Sequence, residues 1–448
     1  MTPSFFPSST RRKQIVKLAL PIIFGMLSIN IVDIVDTAMI GQLGDKALAG
    51  TGFASFLFFV CFAMLVGLGA TIQTFTSRCL GEQRHDECAL PLTAGLIIMI
   101  GYTIPVTVIM IIVAPLILGL FSSDPQVIEF AVTYFRWRVL GLGAIGCSLC
   151  FRGFWNGIKQ PNTYVLILMA THVLNIGFNW ILIFGHLGFP AMGVKGAAIG
   201  STLSLSIGAI AYIIYTLYKK ASLHILKNMP KPTLFRSLLS ISGPASIDQG
   251  FFALYLLTFF WLVGQLGTAS AAIAHVVITC VLVLYLPGAG LGMTSLSLVS
   301  ESLGKGAPKD AKQWAWDIIK CGIPIIMGVG IILFYFPKLI LSQFIHSPST
   351  LELAIFPLRL DLLTLWTACI GVIIIESLTG AGATRTVMII KIISRWVFII
   401  PGIYIMINYL NYGIHAIWVY WVAINFIETL TFIGIWQREQ WMKVQLHK

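Results

Sequence analysis

Two aspartates stand inside a long apolar run near the start of the chain. Asp33 and Asp36 follow Asn30 at intervals of three, and Thr37 comes next, all within residues 14–40. On a helix this spacing places the three side chains on neighbouring faces. No Lys or Arg stands near these acids within the run, and an unpaired carboxylate in an apolar setting takes up and releases protons near neutral pH. The two acids are therefore candidate proton or cation sites, with Asn30 and Thr37 as additional polar groups.

A second set of polar residues could complete such a site. Asn175 and Asn179 stand four residues apart in a later apolar run, and Ser201 or Thr202 follows in the next run. Two amides one helical turn apart can hydrogen-bond a carboxylate or its protonated form. With Asp36 they would bind H⁺, and their oxygen atoms leave Na⁺ open as a second candidate. A role as a polar contact between packed helices is the alternative for the paired amides.

Other ionisable residues in apolar runs are weaker candidates for a functional site. Asp248 lies near Pro244, close to the predicted cytoplasmic end of its run, where an interfacial and a functional role are both open. We expect Glu376 and Glu428, which lie near predicted helix ends, to be solvated.

The composition identifies the elements that must position these side chains. Of the 448 residues, 57% are hydrophobic and only 10% are charged. A water-soluble surface needs roughly a quarter of charged residues, so the chain is predicted to be an all-α integral membrane protein. The net charge of +12 is explained by basic residues at the cytoplasmic ends of spans, and no nucleic-acid partner is expected.

Twelve apolar runs are long enough to cross a membrane as helices. They fall at 14–40, 48–76, 90–120, 130–151, 163–184, 194–218, 237–263, 270–299, 314–341, 354–378, 387–409 and 414–436. Most of the 29 Lys and Arg residues, including Lys391 and Arg395, fall on one side if both termini are cytoplasmic. The positive-inside bias predicts that orientation.

An internal repeat relates the two halves of the chain. Gly41-Gln-Leu-Gly44 recurs as Gly264-Gln-Leu-Gly267, 223 positions later, and Pro21, Arg136 and Gly157 recur at the same offset as Pro244, Arg359 and Gly380. The repeat predicts a six-helix bundle over 1–220, a basic cytoplasmic linker over 221–236 and a second six-helix bundle over 237–448. Because six is even, both bundles enter from the same side, which makes the repeat parallel and is typical of alternating-access transporters.

Signatures of membrane-bound or nucleotide-dependent enzymes are missing from the sequence. It contains no GxxxxGK[ST] phosphate loop and no HExxH metal site. We therefore predict that the chain is not an enzyme, has no catalytic residue, metal or cofactor, and draws energy from an ion gradient.

Five motifs distributed over the chain resemble the multidrug and toxic compound extrusion (MATE) family. They are VDTAMIGQLG at 35–44, RGFWNG at 152–157, NIGFNWILIFG at 175–185, GVKGAA at 193–198 and LTGAGATR at 378–385. The resemblance implies an antiporter in the bacterial inner (plasma) membrane. It would expel cationic amphipathic drugs or toxic metabolites in exchange for H⁺ or Na⁺, as a monomer in the lipid bilayer.

The resemblance also implies roles for single residues. In the DNA-damage-inducible branch a Pro and an Asp in the first span act together, and here these are Pro21, as the hinge, and Asp36. The sodium-type branch has acids where this chain has Phe252 and Cys369, although GFPAM at 188–192 resembles that branch. H⁺ is the favoured coupling ion and Na⁺ the alternative. A distant alternative is flipping of lipids or lipid-linked oligosaccharides, which would require cations inside the bundle.

Overall fold

The computed structural model describes residues 7–219, 229–345 and 347–444, and the regular secondary structure of these residues is helical. The first-half helices are α1 (Ser9–Gly41), α2 (Asp45–Gly81), α3 (Leu90–Leu118), α4 (Pro125–Val139), α5 (Leu142–Gly157), α6 (Pro161–Phe184) and α7 (Gly193–Lys219). The second-half helices are α8 (Pro232–Gly264), α9 (Thr268–Gly304), α10 (Pro308–Tyr335), α11 (Lys338–Leu341), α12 (Pro348–Ala381), α13 (Thr384–Ile392), α14 (Ile400–Asn408) and α15 (Ile414–Gln437). A π-helical turn, Ile393–Ile399, joins α13 to α14.

Eleven helical segments in the described residues are long and apolar enough to cross a membrane. The remaining predicted span, 130–151, is divided between α4 and α5. The interruption leaves carbonyl groups of Trp137 and Val139 to accept hydrogen bonds from the hydroxyls of Thr202 (3.0 Å) and Thr107 (3.3 Å). Polar side chains from neighbouring helices thus satisfy the backbone where the helix is broken, as burial in an apolar medium requires.

The helix boundaries follow the internal repeat. α2 and α9 each contain 37 residues, and both α4 and α12 begin at a proline, Pro125 and Pro348, which lie 223 positions apart. The copies differ in two places. The interrupted α4–α5 pair corresponds to the continuous α12, and the continuous α6 corresponds to α13, the π-helical turn and α14.

The helices pack as two units, each with its own apolar core. One unit comprises Phe24–Ser246, and the other comprises the chain up to Ile23 together with the chain from Ile247. The divisions between the units fall inside α1 and α8, whereas the predicted bundles keep the apolar run of each of these helices in one bundle. The start of α1 packs through Ile15 and Leu18 into the core of the second-half helices, and the start of α8 packs through Leu238 and Ile241 against Phe75.

The predicted linker is only partly described. Residues 220–228 lie outside the described residues, and positions 232–236 already belong to α8. Pro232 at the first position of α8 is a favourable helix start, because its missing N–H would have no intrahelical partner there.

The first turn of α1 is fixed by charges. The Arg11 guanidinium forms ion pairs with Asp310 and Asp317 of α10 and stacks on the Trp314 ring at 4.0 Å. Ser302 and Trp314 also donate to the Asp310 carboxylate, at 2.8 and 3.0 Å. Because its charges are paired and hydrogen-bonded, the cluster is a strong attachment for this end of α1.

Candidate functional site

Close packing of α6 against α7 creates the floor of the site. A Cβ atom on Gly196 would lie 2.3 Å from the carbonyl oxygen of Leu182, and one on Gly200 would lie 2.3 Å from Oδ1 of Asn179. Ser204 and Gly208 continue this line of small residues at intervals of four. Small residues at such spacing let membrane helices approach until their polar groups meet.

Asp36 of α1 lies against the two asparagines of α6. Asn179 Nδ2 donates to Asp36 Oδ1 at 2.8 Å. When the Asn175 amide nitrogen is turned toward Asp36, it reaches the two carboxylate oxygens at 3.0 and 3.3 Å, while its own oxygen accepts from Ser201 Oγ at 3.1 Å. This orientation gives each group a complementary partner, so we adopt it. The structure thus brings together Asp36, Asn175, Asn179 and Ser201.

The asparagine side chains are shielded while the carboxylate remains partly accessible. Asn179 is completely buried and Asn175 is 7% exposed, whereas Asp36 is intermediate. Asn179 Oδ1 has no hydrogen-bond partner within the described part of the chain. A buried amide oxygen beside a carboxylate can accept a proton-bearing group or bind a cation.

The other residues predicted from the first span bond to their own helix. Asn30 donates to the carbonyl of Met26 at 3.2 Å, and Thr37 donates to the carbonyl of Asp33 at 2.7 Å. The Asp33 residue is exposed on the protein surface, one turn from Asp36. The structure therefore does not place Asn30, Thr37 or Asp33 in contact with the two asparagines.

The two hydroxyl candidates on α7 have different environments. Ser201 is buried beside Asn175, but Thr202 points to the interruption between α4 and α5 and donates to Trp137 there. Successive residues of a helix face directions about 100° apart, so only one of them can face α6. Position in the sequence alone did not distinguish them.

A cation near the site escaped the sequence analysis, which considered charges within the first span. Arg138, at the end of α4, acts electrostatically on both Asp33 and Asp36. Its guanidinium stacks on the Phe58 ring at 4.4 Å, and its Nη1 has no hydrogen-bond partner among the described residues. Phe58 is buried, so it holds the arginine at a fixed place. The sequence did offer one signal of a cation here: Arg136, two residues before Arg138, recurs in the repeat as Arg359.

The second-half unit contains a largely buried ionic cluster around Asp248, for which the sequence left an interfacial and a functional role open. Lys391 Nζ and Arg395 Nη1 reach the carboxylate of Asp248 at 2.9 and 3.3 Å. Lys391 lies near the end of α13, and Arg395 lies in the π-helical turn that follows it. Arg395 also stacks over the Phe252 ring at 4.8 Å. The π-helical turn contains Arg395, and such turns re-aim side chains within a helix.

The structure shows that Glu428, which was expected to be solvated, is only partly exposed. Its Oε2 atom is buried and has no hydrogen-bond partner within the described ranges. Glu428 lies inside α15 rather than at its end.

The chemistry available at Asp36 is reversible cation binding. One carboxylate with two amide groups and a hydroxyl carries a single negative charge and several oxygen ligands. Among the described residues, no three His, Cys, Asp or Glu side chains are grouped as a metal site.

Comparison with other proteins finds relatives that match over nearly the whole chain. It is 26% identical over 445 residues to the "Probable multidrug resistance protein NorM" of Thermotoga maritima, covering 95% of this chain and 93% of the relative. The protein of the same description from Oceanobacillus iheyensis is also 26% identical, covering 91% of this chain and 92% of the relative.

Solved structures share the whole architecture. "Crystal structure of MATE in the bent conformation" matches with a TM-score of 0.88 at 20% identity, covering 96% of this chain and 95% of that chain. "Outward-facing conformation of a multidrug resistance MATE family transporter of the MOP superfamily" matches with a TM-score of 0.87 at 20% identity, covering 96% of both chains. These matches confirm the predicted all-α membrane fold, with twelve spans in two bundles.

A family model described as MatE matches residues 21–181 and again residues 244–405. The two matches begin 223 positions apart, at Pro21 and Pro244, and so they reproduce the internal repeat found in the sequence. Because these two matches cover more than half of the chain, the protein belongs to the MatE family.

Proposed function

We propose that the chain is a secondary active multidrug efflux transporter that exchanges cationic amphipathic compounds for protons by alternating access. The observation that carries this proposal is the carboxylate of Asp36, which lies against two buried amides inside a membrane-spanning helix. Ionisable groups at such depth are expensive and mark ion or substrate pathways. The relatives described as multidrug resistance proteins supply the substrate class.

The proton is favoured over Na⁺ by the ligands of the site. A single carboxylate contacts neutral amides, while Arg138 adds positive charge nearby and Asp33 adds negative charge. A neighbouring cation opposes the binding of Na⁺ and of H⁺ alike, so the choice rests on the ligands, and Na⁺ is held by several oxygen ligands. A proton needs only one carboxylate oxygen, and the amides can hydrogen-bond both forms of the acid.

Membership of the DNA-damage-inducible branch is supported by two residues of α1. Pro21 lies inside this helix fifteen positions before Asp36, where its ring and missing N–H permit bending. Phe252 and Cys369 stand where the sodium-type branch is expected to have acids. In this proposal both termini are cytoplasmic, the protein acts as a monomer in a bacterial inner membrane, and it performs no enzymatic reaction.

The test compares Asp36→Asn with Asp45→Asn in proteoliposomes. Asp45 lies in the first turn of α2 and is exposed, so its replacement controls for the loss of one negative charge. In sodium-free buffer, ethidium should drive proton movement through the wild type and Asp45→Asn but not through Asp36→Asn. Normal proton-coupled ethidium transport by Asp36→Asn would refute the proposal.

Two further outcomes would identify the alternative functions. Transport that requires added Na⁺ and ignores a pH gradient would indicate sodium coupling. Movement of a fluorescent lipid between leaflets, without ethidium transport, would indicate flipping. Against flipping, the partly buried cations Lys391 and Arg395 are already paired with Asp248.

A further inference from the structure

A carboxyl group outside the Asp36 site is buried in the second-half unit. Asp361 of α12 is 6% exposed, and Trp418 of α15 is completely buried. Trp418 Nε1 donates to Asp361 Oδ2 at 2.9 Å. The residue lies within the predicted span 354–378, but the sequence analysis did not single it out.

The repeat relates this acid to the surroundings of Asp36. Asp361 follows Arg138 by 223 positions, and Phe259 follows Asp36 by the same number. The Phe259 and Trp418 rings lie 6.4 Å apart, edge to face. The second-half unit therefore has an acid on α12 in the region that corresponds to the surroundings of Asp36 on α1.

The charge state of Asp361 is set by its apolar surroundings. Burial and the Trp418 N–H act on it, and no charged group of the described residues does. Other titratable groups lie at the same end of α12 or on helices packed against it, and each has a different contact. Arg359 donates to the carbonyl of Phe334, and Lys338 pairs with Glu352. His415 bonds to the carbonyl of Leu353, and His275 and Tyr335 contact aromatic rings.

A second group of titratable side chains on these helices belongs to other clusters. Asp310 and Asp317 pair with Arg11, Glu301 pairs with Lys305, and Lys391 pairs with Asp248. None of them acts electrostatically on Asp361. An ionised carboxylate there would be a buried charge with no cation acting on it among the described residues, which is costly.

We propose that Asp361 and Trp418 form a second proton-binding site, located in the second-half unit and emptied during the transport cycle. An asparagine could accept the Trp418 hydrogen bond in the same space without the cost of a buried acid. The acid differs from asparagine in one chemical ability, which is to release H⁺ and become a carboxylate. Oδ1 carries that proton, while Oδ2 accepts from Trp418 in both forms. The inference rests on the proposed proton-coupled function.

The direct test needs no transported compound. Infrared spectra of the purified protein in detergent, recorded between about pH 5 and pH 9, follow the C=O band of protonated carboxyl groups. We expect Asp361→Asn to lose one pH-dependent acid band, comparable in size with the band lost in Asp36→Asn. Glu352→Gln, an exposed position of the same helix, is the matched control and should retain both bands.

A second variant covers failure of Asp361→Asn to fold. Trp418→Phe removes the N–H donor but keeps an aromatic ring, and it should move the pH midpoint of the Asp361 band while the Asp36 band stays unchanged. A wild-type Asp361 band that is constant across this pH range, or an unmoved midpoint in Trp418→Phe, would overturn the proposal.

Transport measurements separate the two proposals. Asp361→Asn should move about half as many protons per ethidium as the wild type, because one of two proton sites is lost. An unchanged proton count would overturn the second site while leaving the Asp36 function intact. Loss of the Asp361 band, combined with normal coupling in Asp36→Asn, would instead refute the proposed function.

Discussion

The position of Asn179 depends on the absence of a side chain at Gly200, and this dependence can be tested by adding one methyl group. A Cβ atom at position 200 would lie 2.3 Å from Asn179 Oδ1 and 3.1 Å from the Asn179 backbone nitrogen. Ordinary contact distances begin near 3.4 Å, so the amide must move by about 1 Å. If the Asn179 amide moves that far from Asp36, its 2.8 Å hydrogen bond to the carboxylate lengthens to roughly 3.8 Å and is lost.

The expected cost follows from these distances. Overpacking costs about 1–3 kcal/mol, and loss of a hydrogen bond to a charged group costs about 1.5–3 kcal/mol. Gly200→Ala should therefore lower the melting temperature measured in detergent by several degrees. Ethidium transport should fall by about 100-fold, because a misplacement of 1 Å has that effect on a positioned group.

The control is Gly177→Ala on α6, where a Cβ atom would meet nothing within 4 Å. It should leave melting and transport close to the wild-type values. In an Asn179→Ala background the colliding amide is gone, so Gly200→Ala should cost less stability there than alone. Equal transport and melting for Gly200→Ala and Gly177→Ala would refute the reasoning.

Three further predictions concern the ends and the bend of the helices. Pro21→Ala should fold at least as well as the wild type but transport more slowly, and an unchanged rate at equal expression would show that α1 need not bend. Arg11→Gln should lower the unfolding free energy by about 2 kcal/mol because it leaves two aspartates of α10 without their cation; the adjacent Arg12→Gln is the control. The Lys46 ammonium and a backbone N–H hold the pKa of Asp124 below its usual value. This contact is therefore present above the unfolded pKa of about 4 and is lost as the pH falls through the lower folded value. Asp124→Asn should flatten the acid side of a melting-temperature profile, and an unaltered profile would contradict this assignment.

The membrane spans could be predicted because length and apolarity determine them. The start of α8 at Pro232, ahead of its apolar run, could not be predicted this way, because polar residues continue a helix beyond the membrane without changing the hydropathy pattern. The interruption between α4 and α5 also escaped prediction. It is stabilised by Thr107 and Thr202, which are distant in sequence and reach the exposed carbonyls only in the folded chain.

The ionisable residue of the candidate site could be predicted from the sequence more readily than the residues that contact it. Asp36 stands out because a charge in an apolar run is costly. The choice of Ser201 over Thr202 depends on the rotation of α7 about its axis, and the influence of Arg138 depends on the packing of α4. Asp361 also stands in an apolar run and meets the same criterion, whereas its partner Trp418 belongs to another helix and becomes evident only in the folded chain.

The π-helical turn Ile393–Ile399 records how the duplicated halves have diverged. The second family match, over 244–405, is one residue longer than the first, over 21–181. An extra residue in a regular α-helix would rotate everything after it by about 100° and turn its buried side chains toward lipid. One wider turn absorbs the extra residue and restores the phase. A helix can therefore accept an extra residue in its middle without turning away the buried face of the part that follows, which in α14 includes Ile403 and Ile407.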